Sequence, residues 1–345
     1  MASLRVKVGA SLILGIAVLL ALLRWLDLGG VLRSIRSASP LWLLMSGLMY
    51  LLFFIFRSVR WRLILSHLDG SLRLGLLLQV TLLGFFVNAL IPLRIGELLR
   101  AFLLGKGRRL GFFRALSSVV AERVLDLFSI AVIAAVALYF LPLGVEVSPI
   151  FLEGLRVSAA VSILLLAMVI VGSRWKEKAL SAVCWAVSHI PRLPDRWKER
   201  IGGSTLGLLE GVEGISSSSS AFFSVLALSI GTWLIQASSY MFSFKAFSTA
   251  VPLTVIVVGG MIMNLSFILP AAPGYIGTFE AFWGLVFLGL GLKLEEAIPV
   301  GLALHLVWIL FLTVSGLTAA GWMGIDLGEL VLEARRMPEE GGGGD

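Results

Sequence analysis

Long apolar runs, separated by short basic or glycine- and proline-rich segments, dominate the chain. These runs lie at residues 8–26, 41–56, 74–93, 115–143, 154–173, 221–243, 252–269, 275–292 and 298–324. An α-helix needs about 20 apolar residues to cross the hydrocarbon core of a bilayer, and most of the runs are that long. The pattern predicts an all-α, polytopic integral membrane helical bundle. The first run opens like a signal peptide but lacks a clear small-residue cleavage site, so we interpret it as a transmembrane helix.

The composition of the chain is typical of a protein embedded in a lipid bilayer. Of 345 residues, 58% are hydrophobic and 14% charged, whereas ordinary soluble domains have about 45–50% and about 25%. This excludes a soluble enzyme, a nucleic-acid binder and a disordered scaffold. The net charge of +7 then indicates basic cytoplasmic loops that face anionic lipid rather than a nucleic-acid partner.

Two of the apolar runs do not fit simple membrane crossings. Run 74–93 is followed by six basic residues between positions 94 and 114, and a loop this basic is improbable outside the cell. We therefore predict a re-entrant hairpin over about 74–114, broken at Asn88 and Pro92. The segment Leu269–Gly277 contains two prolines and two glycines, which cannot continue a helix. It predicts a second re-entrant hairpin, over about 252–292, that enters from the opposite side.

The two hairpins divide the chain into similar halves of opposite orientation. Residues 1–173 form the predicted N-terminal membrane half, 174–220 a cytoplasmic connector with an amphipathic segment, 221–325 the C-terminal membrane half and 326–345 a disordered tail. Inverted repeats with broken helices are a transporter architecture. We expect both termini in the cytoplasm and the protein in the inner (cytoplasmic) cell membrane.

The first candidate cluster surrounds the predicted break at residues 88–100. Its candidate substrate-binding residues are Asn88, Arg94, Glu97 and Arg100, and its hinge residues are Pro92 and Gly96. The three charged residues lie three apart on one helical face and can pair. Their net positive charge suits an anionic group such as a lipid phosphate, which arginine binds with two hydrogen bonds. Solvated charges in a cytoplasmic loop are the alternative.

The second cluster is a charged stretch inside an apolar run, formed by Glu122, Arg123 and Asp126. The two carboxylates share a helix face at i, i+4, and unpaired they would be costly at membrane depth. We expect them to pair with arginines or to hold a proton. A purely structural ion-pair network is the alternative, and it is compatible with a substrate site.

The third cluster lies at the second break and contains Asn264 and Glu280 as candidate substrate-binding residues. Its hinge residues are Pro270, Pro273, Gly274 and Gly277. Thr278 can cap the returning helix and place Glu280 in the first turn, where a carboxylate is favoured. Glu280 is thus either a helix-start residue at the outer interface, or a proton acceptor or arginine partner.

Two further features receive structural interpretations. Arg57, Arg60 and Trp61 end an apolar run, where such residues anchor a helix in the headgroups. His305 is interpreted as a packed polar residue, with a proton relay as the alternative. The single Cys184 excludes an internal disulfide and a cysteine-rich metal site, and the three histidines have no metal-ligand spacing. We expect no metal, no cofactor and no catalytic residue.

Three motifs in order carry a family resemblance. They are N-x3-P-x-R-x-G-E-x2-R (88–100), S-x3-A-E-R-x2-D (117–126) and P-x2-P-G-x2-G-x2-E (270–280). Together they resemble the lysylphosphatidylglycerol synthase transmembrane-region family, also called the flippase-like domain. The resemblance implies a polytopic inner-membrane protein of lipid-translocating type. Some relatives carry a soluble aminoacyltransferase, for which this sequence leaves no length, and others handle hopanoids or polyprenyl-linked sugars.

The leading hypothesis is a lipid flippase or transporter with a polar cavity between the hairpins. The headgroup phosphate would contact Arg94, Arg100 and Arg123, balanced by the nearby carboxylates. The partners would be membrane lipids with an anionic or phosphate-bearing headgroup. The alternatives are an intramembrane transferase acting on a lipid headgroup, or a membrane subunit of a separate lipid-modifying enzyme. No G-x4-G-K-[ST] motif for ATP occurs.

Overall fold

The structure is a computed structural model that describes most of the chain between residues 28 and 325. The described residues are 28–66, 70–91, 94–105, 110–142, 144–145, 147–190, 219–266 and 272–325, with short stretches between 194 and 209. The predicted first helix, the hinge residues Pro92 and Pro270, much of the predicted connector and the predicted tail lie outside them.

The described residues form helices and contain no β-strand, which confirms the predicted all-α class. The helices are α1 (Leu28–Ser37), α2 (Pro40–Ser66), α3 (Leu74–Leu90), α4 (Ile95–Gly105), α5 (Phe112–Tyr139), α6 (Pro149–Arg174), α7 (Lys176–Ser188), α8 (Ser219–Ala246), α9 (Leu253–Ser266), α10 (Thr278–Leu288) and α11 (Leu294–Met323), with a 3-10 turn at Pro273–Tyr275.

Three of the described helices, α2, α8 and α11, are long and apolar enough to cross a membrane. The outward face of α11 is apolar and unsuited to contact with water. Leu306, Leu310, Val314 and Leu317 form an exposed stripe along it, and an apolar stripe of this length needs lipid or protein against it. By contrast, α3, α9 and α10 are apolar but short.

Helix lengths follow the same order twice along the chain. The helices α2 to α5 have 27, 17, 11 and 28 residues, and the helices α8 to α11 have 28, 14, 11 and 30. Their contacts correspond as well. The first helices of the two series, α2 and α8, pack on each other. The second helix of each series packs on the last helix of the other, α3 on α11 and α9 on α5. The third helix of each series packs on the last helix of its own, α4 on α5 and α10 on α11.

Serine side chains fasten α2 to α8, the most extensive helix pair of the described fold. The Ser46 hydroxyl lies 2.8 Å from the Ser239 hydroxyl and 3.0 Å from the Ser243 hydroxyl, and all three are buried. The Ser239 hydroxyl also hydrogen-bonds the Ser46 carbonyl oxygen at 3.0 Å. Small hydroxyl residues let two helix backbones approach closely and bond across the interface.

The predicted breaks coincide with the observed helix ends. The helix α3 ends at Leu90 and α4 begins at Ile95, and the backbone between α9 and α10 has positive φ at Gly274 (67°) and Gly277 (77°). Gly96, predicted as a hinge, is the second residue of α4 and follows the break directly, and its hinge role stays a prediction. A Cβ on Gly96 would collide with the Gly84 carbonyl oxygen of α3, so glycine serves the close crossing of α3 and α4.

Other boundaries differ from the sequence prediction. The helix α2 continues to Ser66, ten residues past the predicted end at 56. The helix α1 was not predicted, because its apolar positions are few and its arginines interrupt them. The amphipathic segment of the predicted connector does form the helix α7. The division of the chain into two halves with a connector stays a prediction.

Candidate functional site

An open cavity with an accessible volume of about 90 Å³ lies where α2, α3, α4, α5, α8, α9 and α11 meet. Aromatic rings form much of its wall. The charged and amide side chains that line it are Arg57, Asn88, Arg94, Glu97, Arg123, Gln236 and Asn264.

The cavity gathers residues from both sequence breaks. Five of the predicted site residues line it: Asn88, Arg94, Glu97, Arg123 and Asn264. Three more lie buried behind its wall: Arg100, Glu122 and Asp126. The ninth, Glu280, lies at the start of α10 and is not part of the wall.

Two carboxylates of α5 form the centre of a buried ion-pair network. Glu122 accepts hydrogen bonds from Arg100 Nη2 at 2.5 Å and Arg60 Nη2 at 3.1 Å. Asp126 accepts hydrogen bonds from Arg57 Nη2 at 2.6 Å and Arg60 Nη2 at 2.8 Å. The network joins α2, α4 and α5, and it confirms that the carboxylates pair with arginines.

The network reaches the cavity through a second group of ion pairs. Arg123 lies with Nε 3.0 Å from Glu97 Oε1 and donates from Nη1 to Asp126 Oδ2 at 3.2 Å. Glu97 also lies 3.6 Å from Arg94 Nη1. Charges at the cavity wall are therefore continuous with charges in the fully buried centre.

Arginines outnumber carboxylates in this network. Among the described residues, the ion pairs join five arginines to three carboxylates, an excess of positive charge. Arginine does not lose its proton in proteins, so the excess is permanent. A buried unpaired charge is costly, and an anion in the cavity would balance it.

Tryptophans enclose the network. Arg100 lies over the Trp61 ring, with 3.9 Å from Cζ to the ring centroid, and Trp61 Nε1 donates to Ser118 Oγ at 2.9 Å. Trp233 Nε1 of α8 donates to Asp126 Oδ1 at 3.2 Å. These contacts fix the charged side chains and exclude water from them.

The prediction that Arg57, Arg60 and Trp61 anchor a helix in the headgroups is wrong. All three are fully buried, and both arginines belong to the ion-pair network. A signal for this pairing was present in the sequence. Arg57 and Arg60 lie on one helix face at i, i+3, and Glu122 and Asp126 lie on one helix face at i, i+4, so the two pairs can face each other.

Asn88 has a structural role in addition to its place in the cavity wall. Its Oδ1 accepts a hydrogen bond from the Gly96 backbone N–H at 2.7 Å and so satisfies the start of α4. Between these residues, Arg94 has a φ of 54°, and Tyr275 at the other break has 57°. Positive φ is strained for such residues, and both line the cavity.

Glu280 is a helix-start residue, as one of its two interpretations predicted. Its Oε2 accepts from the Gly277 backbone N–H at 2.8 Å, and its Oε1 lies 2.6 Å from His305 Nδ1. Glu280 is buried within the protein, and its predicted position at the outer interface stays a prediction. Its side-chain partner is a histidine of α11 rather than an arginine of the first break. Thr278 donates to the Tyr275 carbonyl oxygen and is not the cap.

His305 joins α10, α11 and the 3-10 turn. Its Nε2 donates a hydrogen bond to the Gly274 carbonyl oxygen at 2.8 Å, because a carbonyl oxygen can only accept. This confirms His305 as a packed polar residue. Within the described chain, no three His, Cys, Asp or Glu side chains converge as a metal ion requires.

The helices and the cavity define a helical membrane protein with a buried, arginine-rich site beside an aromatic pocket. The family model of the lysylphosphatidylglycerol synthase TM region matches residues 12–316, and the chain belongs to this family. The resemblance carried by the three motifs is thereby confirmed.

Curated relatives include membrane proteins over nearly the whole length. The chain is 20% identical to a UPF0104 membrane protein of Methanothermobacter thermautotrophicus, over 93% of this chain and 97% of that protein. A second UPF0104 membrane protein of this organism is 25% identical over 81% and 82%. Glycosyltransferase AglD of Haloferax volcanii is 22% identical over 80% of this chain but 48% of its own length. No solved structure matches.

Proposed function

We propose that α3–α4 and α9–α10 are two re-entrant hairpins that enter the membrane from opposite sides as an inverted repeat. Their short helices and the repeated order of helix lengths support this arrangement. The corresponding contacts of the two halves support it as well. Broken helices at membrane depth are tolerated only where they are surrounded by protein or line a wet cavity, and both breaks contribute to one cavity wall.

This cavity receives a lipid headgroup, and the protein is a lipid flippase or transporter. The observation that carries the proposal is the shared wall, in which Asn88, Arg94 and Glu97 meet Asn264 beside an arginine-rich network. Arginines outnumber carboxylates in this network, and a guanidinium group binds a phosphate well. The acyl tails stay in the bilayer, so only the headgroup enters the protein.

The remaining expectations complete the proposal. The protein lies in the cell inner membrane with both termini in the cytoplasm, because that orientation places most basic loops inside. Its partners are lipids with an anionic or phosphate-bearing headgroup. It is not an enzyme and uses no cofactor, and transport draws on a gradient, a downstream reaction or no energy source.

The proposal is tested by headgroup translocation in reconstituted vesicles. Fluorescent phospholipid in the inner leaflet becomes accessible to an external quencher when the protein moves it outward. We expect rapid flipping by the wild type. For Arg94→Ala we expect a rate of about one tenth of the wild-type rate or below, since a charge-assisted hydrogen bond to the headgroup is lost.

Arg156→Ala is the matched control, because Arg156 is an exposed arginine outside the cavity and its partner Glu153 is also exposed. Wild-type rates no higher than those of empty vesicles or of Arg94→Ala would refute transport through this cavity.

A second candidate function is an intramembrane transferase, or a membrane subunit that serves a separate lipid-modifying enzyme. The similarity to a glycosyltransferase, of which the chain matches 48%, favours this alternative. Mass spectrometry of lipids before and after incubation separates the candidates. A flippase leaves lipid masses unchanged, whereas a transferase changes the headgroup mass.

A further inference from the structure

We propose that Glu280 and His305 form a proton-binding site that couples transport to a proton gradient. The inference rests on the proposed function and names its energy source. The cavity receives the lipid headgroup, whereas this buried pair lies at the second break, where the 3-10 turn meets α10 and α11. The bound proton holds the turn on α11, and loss of the proton releases the turn.

The hydrogen bonds of His305 require a proton between its ring and Glu280. Nε2 donates to the Gly274 carbonyl oxygen at 2.8 Å, so a neutral ring has no second proton for Nδ1. Nδ1 nevertheless lies 2.6 Å from Glu280 Oε1, a hydrogen-bond distance at which one of the two atoms must carry a proton. The pair is therefore either a charged His305 with an ionised Glu280 or a neutral His305 with a protonated Glu280. Both forms hold one proton more than a neutral ring beside an ionised carboxylate, and this proton belongs to the pair.

Burial makes the contact depend on this proton. Glu280 is 4% exposed and His305 is 3% exposed. The Phe279 and Trp308 rings stack on the imidazole, with centroid distances of 4.4 Å and 5.5 Å. Without the proton, an ionised carboxylate would face the lone pair of Nδ1 inside the protein. Two buried acceptors in contact are both unsatisfied, so the two side chains must separate.

Separation of the pair would change the cavity wall. Glu280 is tied to the start of α10, because its Oε2 accepts from the Gly277 backbone N–H at 2.8 Å. His305 belongs to α11, and a shift of its ring away from Glu280 would also break its hydrogen bond to Gly274. The next residue, Tyr275, lines the cavity with a φ of 57°, a strained conformation that its surroundings must hold in place. Loss of the proton is thus linked to the shape of the cavity.

The described residues place few titratable groups near the pair. The helices α3 and α9 carry none, and the Tyr275 ring reaches the pair through Trp308, with 5.6 Å between the two ring centroids. Glu295 and Glu296 lie at the exposed start of α11, nine or more residues and thus about 13.5 Å or more before His305. The other titratable residues on described helices that contact α10 or α11 are Arg33 and Arg36 of α1, Tyr50, Arg57, Arg60 and Arg62 of α2, and Tyr240 and Lys245 of α8.

A site that holds one proton sets the size of the coupling. The pair takes up a proton while the cavity is open to one side of the membrane, and it releases the proton after the cavity has opened to the other side. With one proton moved per lipid, a gradient of about one pH unit holds about a 10-fold difference in lipid between the two leaflets.

Vesicles with a pH gradient of this size test the coupling. They contain the protein and tail-labelled fluorescent phosphatidylglycerol, distributed equally between the leaflets at the start. Valinomycin with equal potassium on both sides holds the membrane potential at zero. We expect the label to accumulate in one leaflet, up to about 10-fold over the other. Vesicles without protein give the background.

The variant Glu280→Gln reproduces the protonated pair without a proton to release. Its side-chain oxygen can accept from the Gly277 backbone N–H, and its amide nitrogen can donate to His305 Nδ1, so the contacts are kept. We expect this variant to fold and to lose the accumulation. Glu153→Gln is the matched control, since Glu153 is exposed and pairs with an exposed arginine, and it should accumulate lipid as the wild type does.

Proton NMR of the protein in micelles detects the shared proton independently of transport. With isotope-labelled histidine, the proton in the short contact between Glu280 and His305 should give a strongly downfield signal. The signal should be absent from His305→Gln. It should persist in His189→Gln, because His189 is exposed at the end of α7.

The outcomes separate this inference from the proposed function. Flipping without accumulation in the gradient, or equal accumulation by the wild type and Glu280→Gln, would overturn proton coupling and leave transport intact. Absence of the downfield signal from the wild type would overturn the proton site. No flipping with or without a gradient would refute transport itself.

Discussion

Two ion pairs of equal length but different burial allow a direct test of the buried network. Arg100 Nη2 and Glu122 Oε2 lie 2.5 Å apart with side chains 1% and 0% exposed. Arg156 Nη1 and Glu153 Oε1 also lie 2.5 Å apart, but with side chains 71% and 62% exposed. The N–O distance is therefore held constant while the surroundings differ.

Replacing Glu122 by Gln removes the carboxylate that pairs with Arg60 and Arg100. The two buried guanidinium groups then have less negative charge near them to balance their own. Loss of one partner of a buried pair costs about 3–5 kcal/mol. Glu153→Gln should cost about 0–1 kcal/mol, because water already solvates both charges of that pair.

The free energy of unfolding can be measured in mixed micelles by titration with a denaturing detergent and followed by tryptophan fluorescence. A double variant, Glu122→Gln with Arg100→Met, should be more stable than Glu122→Gln alone, because it also removes an unpaired guanidinium. Equal losses for Glu122→Gln and Glu153→Gln, or no gain in the double variant, would refute the assignment of a buried network.

Three further predictions follow from the contacts at the breaks, each measured as the change in the free energy of unfolding. Gly96→Ala should cost about 1–3 kcal/mol, because its Cβ would meet backbone and lie 2.7 Å from Asn88 Oδ1, whereas Gly75→Ala, with open space around its Cβ, should be tolerated. Asn88→Ala should cost about 1 kcal/mol through loss of a helix cap, and Asn88→Asp, which keeps the acceptor, should cost less. His305→Leu should cost about 1–3 kcal/mol, because it leaves Glu280 buried without its side-chain partner. An equal effect of the paired glycine variants, a larger loss for Asn88→Asp than for Asn88→Ala, or full stability of His305→Leu would contradict these assignments.

The sequence was sufficient to predict most of the described helices and the breaks between them. Apolar runs are direct consequences of the bilayer as solvent, and glycine and proline interrupt helices through backbone geometry alone. Each run from residue 41 onward corresponds to an observed helix, and the two breaks occur where helix-incompatible residues cluster.

The sequence was not sufficient to assign the roles of Arg57 and Arg60. An arginine at the end of an apolar run is satisfied equally by headgroups or by a buried carboxylate, and only the tertiary fold decides between them. The carboxylates that decide it lie more than 60 residues along the chain. The packing role of Gly96 could not be predicted for the same reason, because another helix fills the space beside it.

The serine contacts between α2 and α8 constrain how the protein can move. The Ser46 hydroxyl bonds to two serine hydroxyls of α8 and holds the backbones of these two long helices close together. Sliding the helices past each other would leave several buried polar groups without hydrogen-bond partners. In the proposed transport cycle, this pair would act as a fixed axis about which the short helices on either side would tilt.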